Sequence, residues 1–313
     1  MSIRALVTGG AGFIGSHLAQ RLIREGMSVR IFDNFSSGNR SNLENFESEV
    51  EWIEGDIRDR EAVGRAARGV DCIWHQAALA SVPRSIADPL LTHEVNVTGT
   101  LNVLDAAREA SVHKVILASS SSVYGESPVL PKVESMPTVP LSPYAVHKLV
   151  NELYASQFAL HYGMSATCLR YFNIFGPRQD PESPYAAVLP CFIKRIRQGL
   201  PPKIYGDGTQ TRDFTYVENA VEANLLAYQS RQPGCGVFNI ASGKQYTVLR
   251  LAEAVVEWLG WQEGIEFVPQ RPGDIHHSYA DISQADRVLN YKPVVSFEEG
   301  LRRTLSWFSE NPV

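Results

Sequence analysis

In the stretch Ser142-Pro143-Tyr144-Ala145-Val146-His147-Lys148, a phenol and an amine stand four residues apart, behind a Ser-Pro pair of the kind that starts helices. Residues four apart share one helical face, so Lys148 can sit beside Tyr144. Spacing alone decides nothing: with 12 tyrosines in 313 residues, about 0.3 such pairs arise by chance. The neighbourhood gives the pair its meaning. Four serines, Ser119 to Ser122, follow directly on the strand-like Val115-Ile116-Leu117-Ala118, and the carboxyl ends of strands are where a doubly wound sheet places its ligand. An unperturbed phenol, with a pKa of about 10, is a poor base at neutral pH. An ammonium about 4 Å away in an effective dielectric of about 20 favours phenolate by about 4 kcal/mol, or about 3 pKa units. The expectation is a Tyr144 phenol brought down to about 7, able to take a proton from an alcohol, with Ser120 bonded to the same oxygen as a proton shuttle.

Such groups need a frame. Ala5-Leu6-Val7, Val29-Arg30-Ile31-Phe32, Asp71-Cys72-Ile73-Trp74 and Val115–Ala118 read as strands, with helix-period segments between most of them. That alternation marks a parallel sheet with crossover helices on both faces. From about Arg178 the texture loosens, with Pro177, Pro181, Pro184, Pro190, Pro201-Pro202 and Gly206-Asp207-Gly208. The expected class is α/β: a doubly wound Rossmann sheet over residues 1–177 carrying the catalytic residues, then a smaller mixed α/β lobe over 178–313, mainly for substrate. Helices are expected near 217–230 and 247–258, the first packing back on the sheet, and a short lobe strand at Val237-Phe238-Asn239-Ile240. No internal repeat or low-complexity tract interrupts the pattern.

Near the N-terminus, Ala5-Leu6-Val7-Thr8-Gly9-Gly10-Ala11-Gly12-Phe13-Ile14-Gly15 gives strand, glycine turn, helix. Gly10-x-Gly12-x-x-Gly15 fits the dinucleotide fingerprint, whose glycines allow a tight turn, close backbone approach to a pyrophosphate and close helix packing. The helix after the turn points its free N–H groups at the phosphates. Asp33, at the end of the second strand and about 20 residues on, supplies a carboxylate for the ribose hydroxyls and repels a 2′-phosphate, so NAD is favoured over NADP. A cationic nicotinamide ring would also push Tyr144 toward phenolate while accepting hydride.

Composition narrows the partners. A formal net charge of −5 and no long basic run argue against nucleic acid or a membrane surface, and 44% hydrophobic residues suffice for a substantial core. The longest apolar runs are strand-length and the first residues lack the regions of a signal peptide, which reads as a cytoplasmic chain. Cys72, Cys168, Cys191 and Cys235 show no C-x-x-C spacing and read as structural thiols rather than bridges or metal ligands.

Taken together, the glycine turn, Asp33, the serine cluster and Tyr144-x-x-x-Lys148 resemble the extended short-chain dehydrogenase/reductase family, specifically its nucleotide-sugar epimerases. Further matches run almost through the chain: Asp56-Ile57, Gln76-Ala77-Ala78-Leu79, Asn96 in Asn-Val-Thr-Gly-Thr, Leu169-Arg170-Tyr171-Phe172-Asn173, Asp207-Gly208, Thr211-Arg212-Asp213 and Arg271-Pro272-Gly273-Asp274. The resemblance implies catalysis by Ser120, Ser121, Tyr144 and Lys148. For NAD it implies contacts from Gly9, Gly12, Phe13, Ile14, Gly15, Asp33, Asn34, Ser36, Gly38, Asp56, Ile57, Gln76, Ala77, Ala78, Asn96, Tyr144, Lys148 and Tyr171. For a UDP-sugar it implies Ser120, Tyr144, Phe172, Asn173, Ala187, Val188, Tyr205, Arg212, Arg271, Asp274 and Ser278, with Arg212 and Arg271 on the diphosphate and Asp274 on the uridine ribose. Guanidinium forks do match phosphate oxygens, and an Asn173 amide near the core would be costly without a ligand.

The family's members begin by oxidising the sugar at C4 and differ in their later steps. Dehydratase relatives carry Asp-Glu directly after the residue matching Ser120, and decarboxylating relatives carry a Glu there; here Ser121 and Ser122 stand instead, and neither titrates usefully. Hydride return to either face of the 4-keto sugar remains, giving 4-epimerisation. A UDP-glucuronate 4-epimerase also carries a serine-rich cluster but usually departs from Tyr-Phe-Asn. At Ala187 glucose/galactose epimerases often have Asn, and Ser278 matches a gate that a Tyr narrows in some relatives, so N-acetylated hexoses are expected to fit beside UDP-glucose and UDP-galactose. The resemblance also implies a homodimer, helices near 92–110 and 143–162 pairing across a two-fold axis as a four-helix bundle, with Leu149, Leu153 and Phe158 as candidate contacts. Two readings compete: a 4,6-dehydratase, and a non-catalytic NAD-binding regulator, which would be expected to lose Tyr144 or Lys148.

Overall fold

The structure, a computed structural model, describes residues 2–180, 188–270 and 276–311. Strand β1 (Arg4–Thr8) is buried from Ala5 onward, as a parallel strand covered on both faces must be. The glycine turn then feeds α1 (Phe13–Arg24), after which β2 (Ser28–Asp33) and β3 (Val50–Glu54) extend the sheet to one side. Helix α2 (Arg60–Ala67), capped by the Asp59 carboxylate, carries the chain to β4 (Cys72–His75). A helical run comes next: α3 (Val82–Ala87), α4 (Pro89–His93), one π turn at Glu94–Thr98 and α5 (Gly99–Glu109). Then come β5 (Lys114–Ser120), a 3-10 turn at Ser121–Tyr124, the 20-residue α6 (Pro143–Tyr162) and β6 (Ser165–Tyr171).

The rest of the chain is shorter-grained. It contains β7 (Ile174–Phe175), α7 (Val188–Arg197), β8 (Lys203–Tyr205), β9 (Thr211–Arg212), β10 (Thr215–Tyr216), α8 (Val217–Gln229) and β11 (Cys235–Ile240). It ends with β12 (Tyr246–Thr247), α9 (Val248–Leu259), β13 (Glu266–Val268), α10 (Ser283–Leu289) and α11 (Phe297–Glu310). Three two-stranded pairings, β7 with β10, β9 with β12 and β8 with β13, tie this half together.

The central sheet is parallel throughout, in the order β11-β6-β5-β4-β1-β2-β3. This is the expected doubly wound α/β architecture. The strand order reverses between β1 and β4, and that switch point opens a crevice at the carboxyl ends of the strands. One face packs Val7, Leu18, Leu22, Trp74 and Phe238 with Val221 and Leu225 of α8; the other packs Leu6, Phe32, Ile73, Leu104, Leu117 and Cys168. A separate core of the C-terminal half gathers Phe192, Phe214, Val255, Phe297, Leu301 and Phe308.

One sequence expectation is corrected here. The strand at Val237–Ile240 does not belong to the C-terminal lobe but pairs with β6 as an edge of the central sheet, from Cys235↔Ala166 to Ile240↔Tyr171. Helix α8 reaches the same sheet, placing Ala220 and Ala223 in the core with α1. Ala220, Ala223 and Ala227, three and four residues apart and so on one helical face, explain the close approach, since alanines let a helix lie near a sheet. Among the described residues no helix is long and apolar enough to cross a membrane.

Candidate active site

The crevice at the switch point is a cleft of about 500 Å³. Its floor is the glycine turn. Gly9 adopts φ +69°, and a Cβ there would fall 2.6 Å from the Ala77 nitrogen; a Cβ on Gly15 would fall 2.0 Å from the Gly9 carbonyl oxygen. Gly12 lines the cleft and caps α1 with no side-chain hydrogen bond, so the first amides and the positive helix end face the opening. The three glycines expected at the cofactor, Gly9, Gly12 and Gly15, line the cleft, while Gly10 of the fingerprint packs behind the turn against Ile31, with a hypothetical Cβ 2.6 Å from its Cγ2.

Asp33 ends β2 at the rim of the turn. Its carboxylate accepts the Ala11 and Phe35 amides, each at 2.9 Å; burial pushes the carboxyl above the usual range while those backbone hydrogen bonds oppose it. Beside it the Asn34 amide donates to Asp56 Oδ2 at 2.8 Å, and Asp56 is held at about 2, chiefly by hydrogen bonds from Arg58. Phe13, Ile14, Ser36, Gly38, Ile57, Gln76, Ala77, Ala78 and Tyr171 complete this part of the lining. Asn96 is not on it. Fully buried, its side chain accepts the Leu79 amide at 2.8 Å and donates to the Leu79 carbonyl at 3.2 Å, shaping the wall from behind.

At the other end of the cleft stand Ser120, Tyr144 and Lys148. Ser142 caps α6 by accepting the Ala145 amide, and Pro143 occupies the first turn, where its missing N–H costs nothing. The Tyr144 amide donates to Ser85 Oγ of α3 at 3.1 Å, which fixes the start of α6. Lys148 Nζ donates to the Ala118 carbonyl at 2.7 Å and lies 5.9 Å from the centroid of the Tyr144 ring. The phenol is pushed up to about 12 by burial, with a Ser120 hydrogen bond acting the other way, and burial lowers the Lys148 amine to about 8. The expectation of a resting phenol at about 7 is therefore corrected. Burial dominates, and the ammonium is spent partly on a backbone carbonyl.

The serines divide. Ser120 Oγ faces the cleft and accepts from the Ser122 amide at 3.2 Å and the Ser122 hydroxyl at 2.9 Å. Ser121 begins the 3-10 turn after β5 and does not line the cleft, contrary to its expected place. On the sugar side, Asn173 does line it, at φ +36°, exposed rather than near the core, with its amide directed to the Asp213 carbonyl at 3.5 Å. Phe172 does not: it is fully buried, its ring 6.2 Å from that of Tyr124.

Val188, Tyr205, Arg212 and Ser278 lie in the C-terminal half, away from this lining. Arg212 and Ser278 are brought together there: the Ser278 amide donates to the Thr211 carbonyl at 3.1 Å, and Arg212 Nη1 donates to the His276 carbonyl at 3.2 Å. Ala187, Arg271 and Asp274 lie outside the described residues.

Sequence reading missed Ser81, Arg84 and Gln179, which line the cleft, and gave Ser119 of the serine cluster no individual role, although it lines the cleft too. For Ser81 a signal existed. It caps α3 through the Arg84 amide at 3.1 Å, with Pro83 behind it, and such a cap two residues after Leu79 points a helix end at the cofactor loop.

These residues fit a dinucleotide. The turn has no room for a Cβ at Gly9 or Gly15, the α1 amides are uncapped, and an acid stands where ribose hydroxyls need an acceptor. Comparison with known proteins agrees. Residues 6–304 match the family model described as GDP-mannose 4,6 dehydratase. The chain is 44% identical to a UDP-N-acetylglucosamine 4-epimerase from Methanobrevibacter ruminantium M1 solved with UDP-N-acetylmuramic acid, with a TM-score of 0.94 and 99% of each chain covered. It is 38% identical to a UDP-glucose 4-epimerase of Thermus thermophilus solved with NAD, at a TM-score of 0.90 over 99% of this chain and 100% of that one. A UDP-glucose 4-epimerase of Mycolicibacterium smegmatis is 38% identical over 310 residues, 98% of each chain.

Proposed function

The chain belongs to the family of the GDP-mannose 4,6 dehydratase model, among the extended short-chain dehydrogenases/reductases, and from that membership we propose that it is a UDP-hexose 4-epimerase. In this reading it interconverts UDP-glucose with UDP-galactose, and UDP-N-acetylglucosamine with UDP-N-acetylgalactosamine, through a transient 4-keto sugar. NAD is the cofactor. The observation that carries the reading is that Ser120, Tyr144 and Lys148 line the same cleft as the glycine turn and Asp33.

When bound, NAD supplies a reversible hydride acceptor and, in oxidised form, a positively charged ring. The protein's part is binding, orientation and proton transfer. The Gly9, Gly12 and Gly15 turn and the α1 amides hold the diphosphate, while Asp33 takes the ribose hydroxyls and the walls from Asp56, Ile57, Gln76, Ala77, Ala78 and Tyr171 confine the rest. Tyr144 takes the proton of the sugar C4 hydroxyl as the C4–H bond breaks, and gives it back when the carbonyl is reduced. With its resting value at about 12, the phenol acts as a base only while positive charge stands beside it; Lys148 supplies the protein's share. Ser120 hydrogen-bonds the same oxygen and orients it. Ser122, which donates to Ser120 Oγ, leaves the Ser120 proton free for that oxygen. With serines at 121 and 122 there is no acid–base pair for removing water across C5 and C6, which favours hydride return over dehydration.

Residues 178–313 serve mainly as the nucleotide-sugar lobe, with Arg212 on the diphosphate and Ser278 as a small gate that admits an N-acetyl group. The functional unit is a homodimer built through α5 and α6. The test is proton NMR of the purified protein incubated without added cofactor with UDP-glucose, UDP-N-acetylglucosamine and UDP-glucuronate in separate tubes. Appearance of the C4 epimer of the first two is expected. A 4-keto-6-deoxy product, or epimerisation of the uronate alone, contradicts the reading.

A further inference from the structure

Tyr144, Lys148 and Glu152 succeed one another at four-residue spacing and share one face of α6. Each of the last two grips the end of β5. Lys148 Nζ donates to the Ala118 carbonyl at 2.7 Å, and the Ser119 hydroxyl donates to Glu152 Oε1. The next residue along the strand is Ser120, the one that reaches the phenol. The carboxylate is also the centre of a buried fork: Arg170 of β6 donates through Nε at 2.9 Å and through Nη2 at 2.7 Å, with Arg170 and Glu152 side chains 5% and 6% exposed. The same guanidinium lies 4.7 Å above the ring of Tyr124, the residue that ends the turn after Ser120, and the Tyr124 hydroxyl donates to Asn239 Oδ1 of β11 at 2.6 Å. One carboxylate thus joins α6, β5, β6 and the serine turn. As a stabilising device alone it is poor, because apolar residues of equal volume usually serve a core as well as a buried ion pair. Its geometry instead fixes where two hydroxyls stand.

We infer that Glu152 is a positioning residue for the epimerisation proposed above. Through Ser119 and Arg170 it holds the end of β5 in register with α6, so that Ser120 and Tyr144 address one substrate oxygen, and its charge faces the Lys148 ammonium. The inference rests on the epimerase reading. The groups facing Lys148 are Tyr144, His147 and Glu152 of its own helix, His75 of β4 and Cys168 of β6; those facing Glu152 are Lys148, Arg170, Cys168 and Cys235. Removing the only carboxylate in this set disfavours the ammonium.

The experiment compares Ser119→Ala, Ser119→Thr and Glu152→Gln with the wild-type protein, on whichever UDP-sugar the wild type turns over, with NAD content and melting temperature recorded for each. A wild type that turns over no sugar defeats the epimerase reading; the variant series tests the inference separately. Ser119→Ala is expected to lower kcat about tenfold with KM within about twofold, and Ser119→Thr, which keeps the hydroxyl, to regain most of it. Glu152→Gln is expected to lower kcat further and to move the alkaline limb of the kcat profile to lower pH by about one unit. A purely structural role predicts lower melting temperatures with the pH profile unmoved. Equal kcat in Ser119→Ala and wild type overturns the inference, as does a folded Glu152→Gln with a coincident pH profile; should Glu152→Gln fail to fold, the serine variants decide.

Discussion

A phenol pushed up to about 12 and an amine lowered to about 8 form a pair whose useful states are separated by pH. Lys148 carries its proton below about 8 and loses it above. Turnover is therefore expected to fall as pH rises through about 8, and a kcat profile flat to about 10 would show that no ammonium is required. Ser278 carries the prediction about substrate size. Ser278→Tyr is expected to lower kcat/KM for UDP-N-acetylglucosamine at least about tenfold while leaving UDP-glucose within about twofold, and undiminished turnover of the N-acetylated sugar removes the gate. The chemistry-bearing residues are legible in the sequence because type, spacing and neighbours coincide within short stretches. Their supports are not. Ser119 meets Glu152 across 33 positions and Glu152 meets Arg170 across 18, and nothing local in either stretch announces the pairing. The resting pKa of Tyr144 escapes a sequence reading for the same reason, since burial is a tertiary property.

At the scale of elements, the glycine turn shows which part of a motif sequence alone can assign: Gly9, Gly12 and Gly15 line the cleft as expected, while the part played by Gly10 needs the fold. Gly9 and Gly10 are adjacent, and sequence alone does not say which takes the positive φ; the contact of Gly10 with Ile31 and the approach of Gly9 to Ala77 decide it. Gly15→Ala is the sharpest probe, because its Cβ would meet the Gly9 carbonyl at 2.0 Å. It is expected to strip bound NAD and to cost at least about 2 kcal/mol of stability, measured by cofactor absorbance after purification and by urea unfolding; full NAD retention contradicts this account of the turn. Helix α6 carries the second prediction. Phe158 is buried in the sheet core and Leu149 is part-buried against the small cluster that holds Tyr124 and Phe172, but Leu153 at 59% and Leu160 at 72% exposure stand open on the helix. If this face pairs two copies, Leu153→Glu should convert a dimer to a monomer in sedimentation at micromolar concentration. A wild-type chain sedimenting only as monomer refutes the dimer.

For the whole molecule, the alternation of strands and helices in the first half announces the doubly wound sheet, while the return of β11 to its edge is hidden in the C-terminal half, where Cys235–Ile240 reads like any short lobe strand. Covering both faces of the sheet with helices buries polar groups whose titration then bears on stability. His75 sits fully buried between the Thr8 hydroxyl at 2.7 Å and the Thr100 hydroxyl at 2.9 Å, and burial lowers it from 6.5 to about 3; His17 is lowered to about 4. In the unfolded chain both take a proton as pH falls through about 6.5, whereas the folded chain keeps them neutral. The unfolded state then binds more protons, so stability drops as pH is lowered, by about 1.4 kcal/mol per unit for each histidine between those limits. Urea unfolding is expected to give a lower free energy at about pH 5 than at about pH 7; equal values would contradict the burial of uncharged histidines. The central claim concerns one oxygen. Tyr144→Phe, purified with NAD bound and assayed by NMR for the C4 epimers of UDP-glucose and UDP-N-acetylglucosamine, measures it most directly. The account predicts that exchange falls by at least about a hundredfold while the cofactor stays bound, and wild-type exchange in the folded, NAD-loaded variant would contradict it.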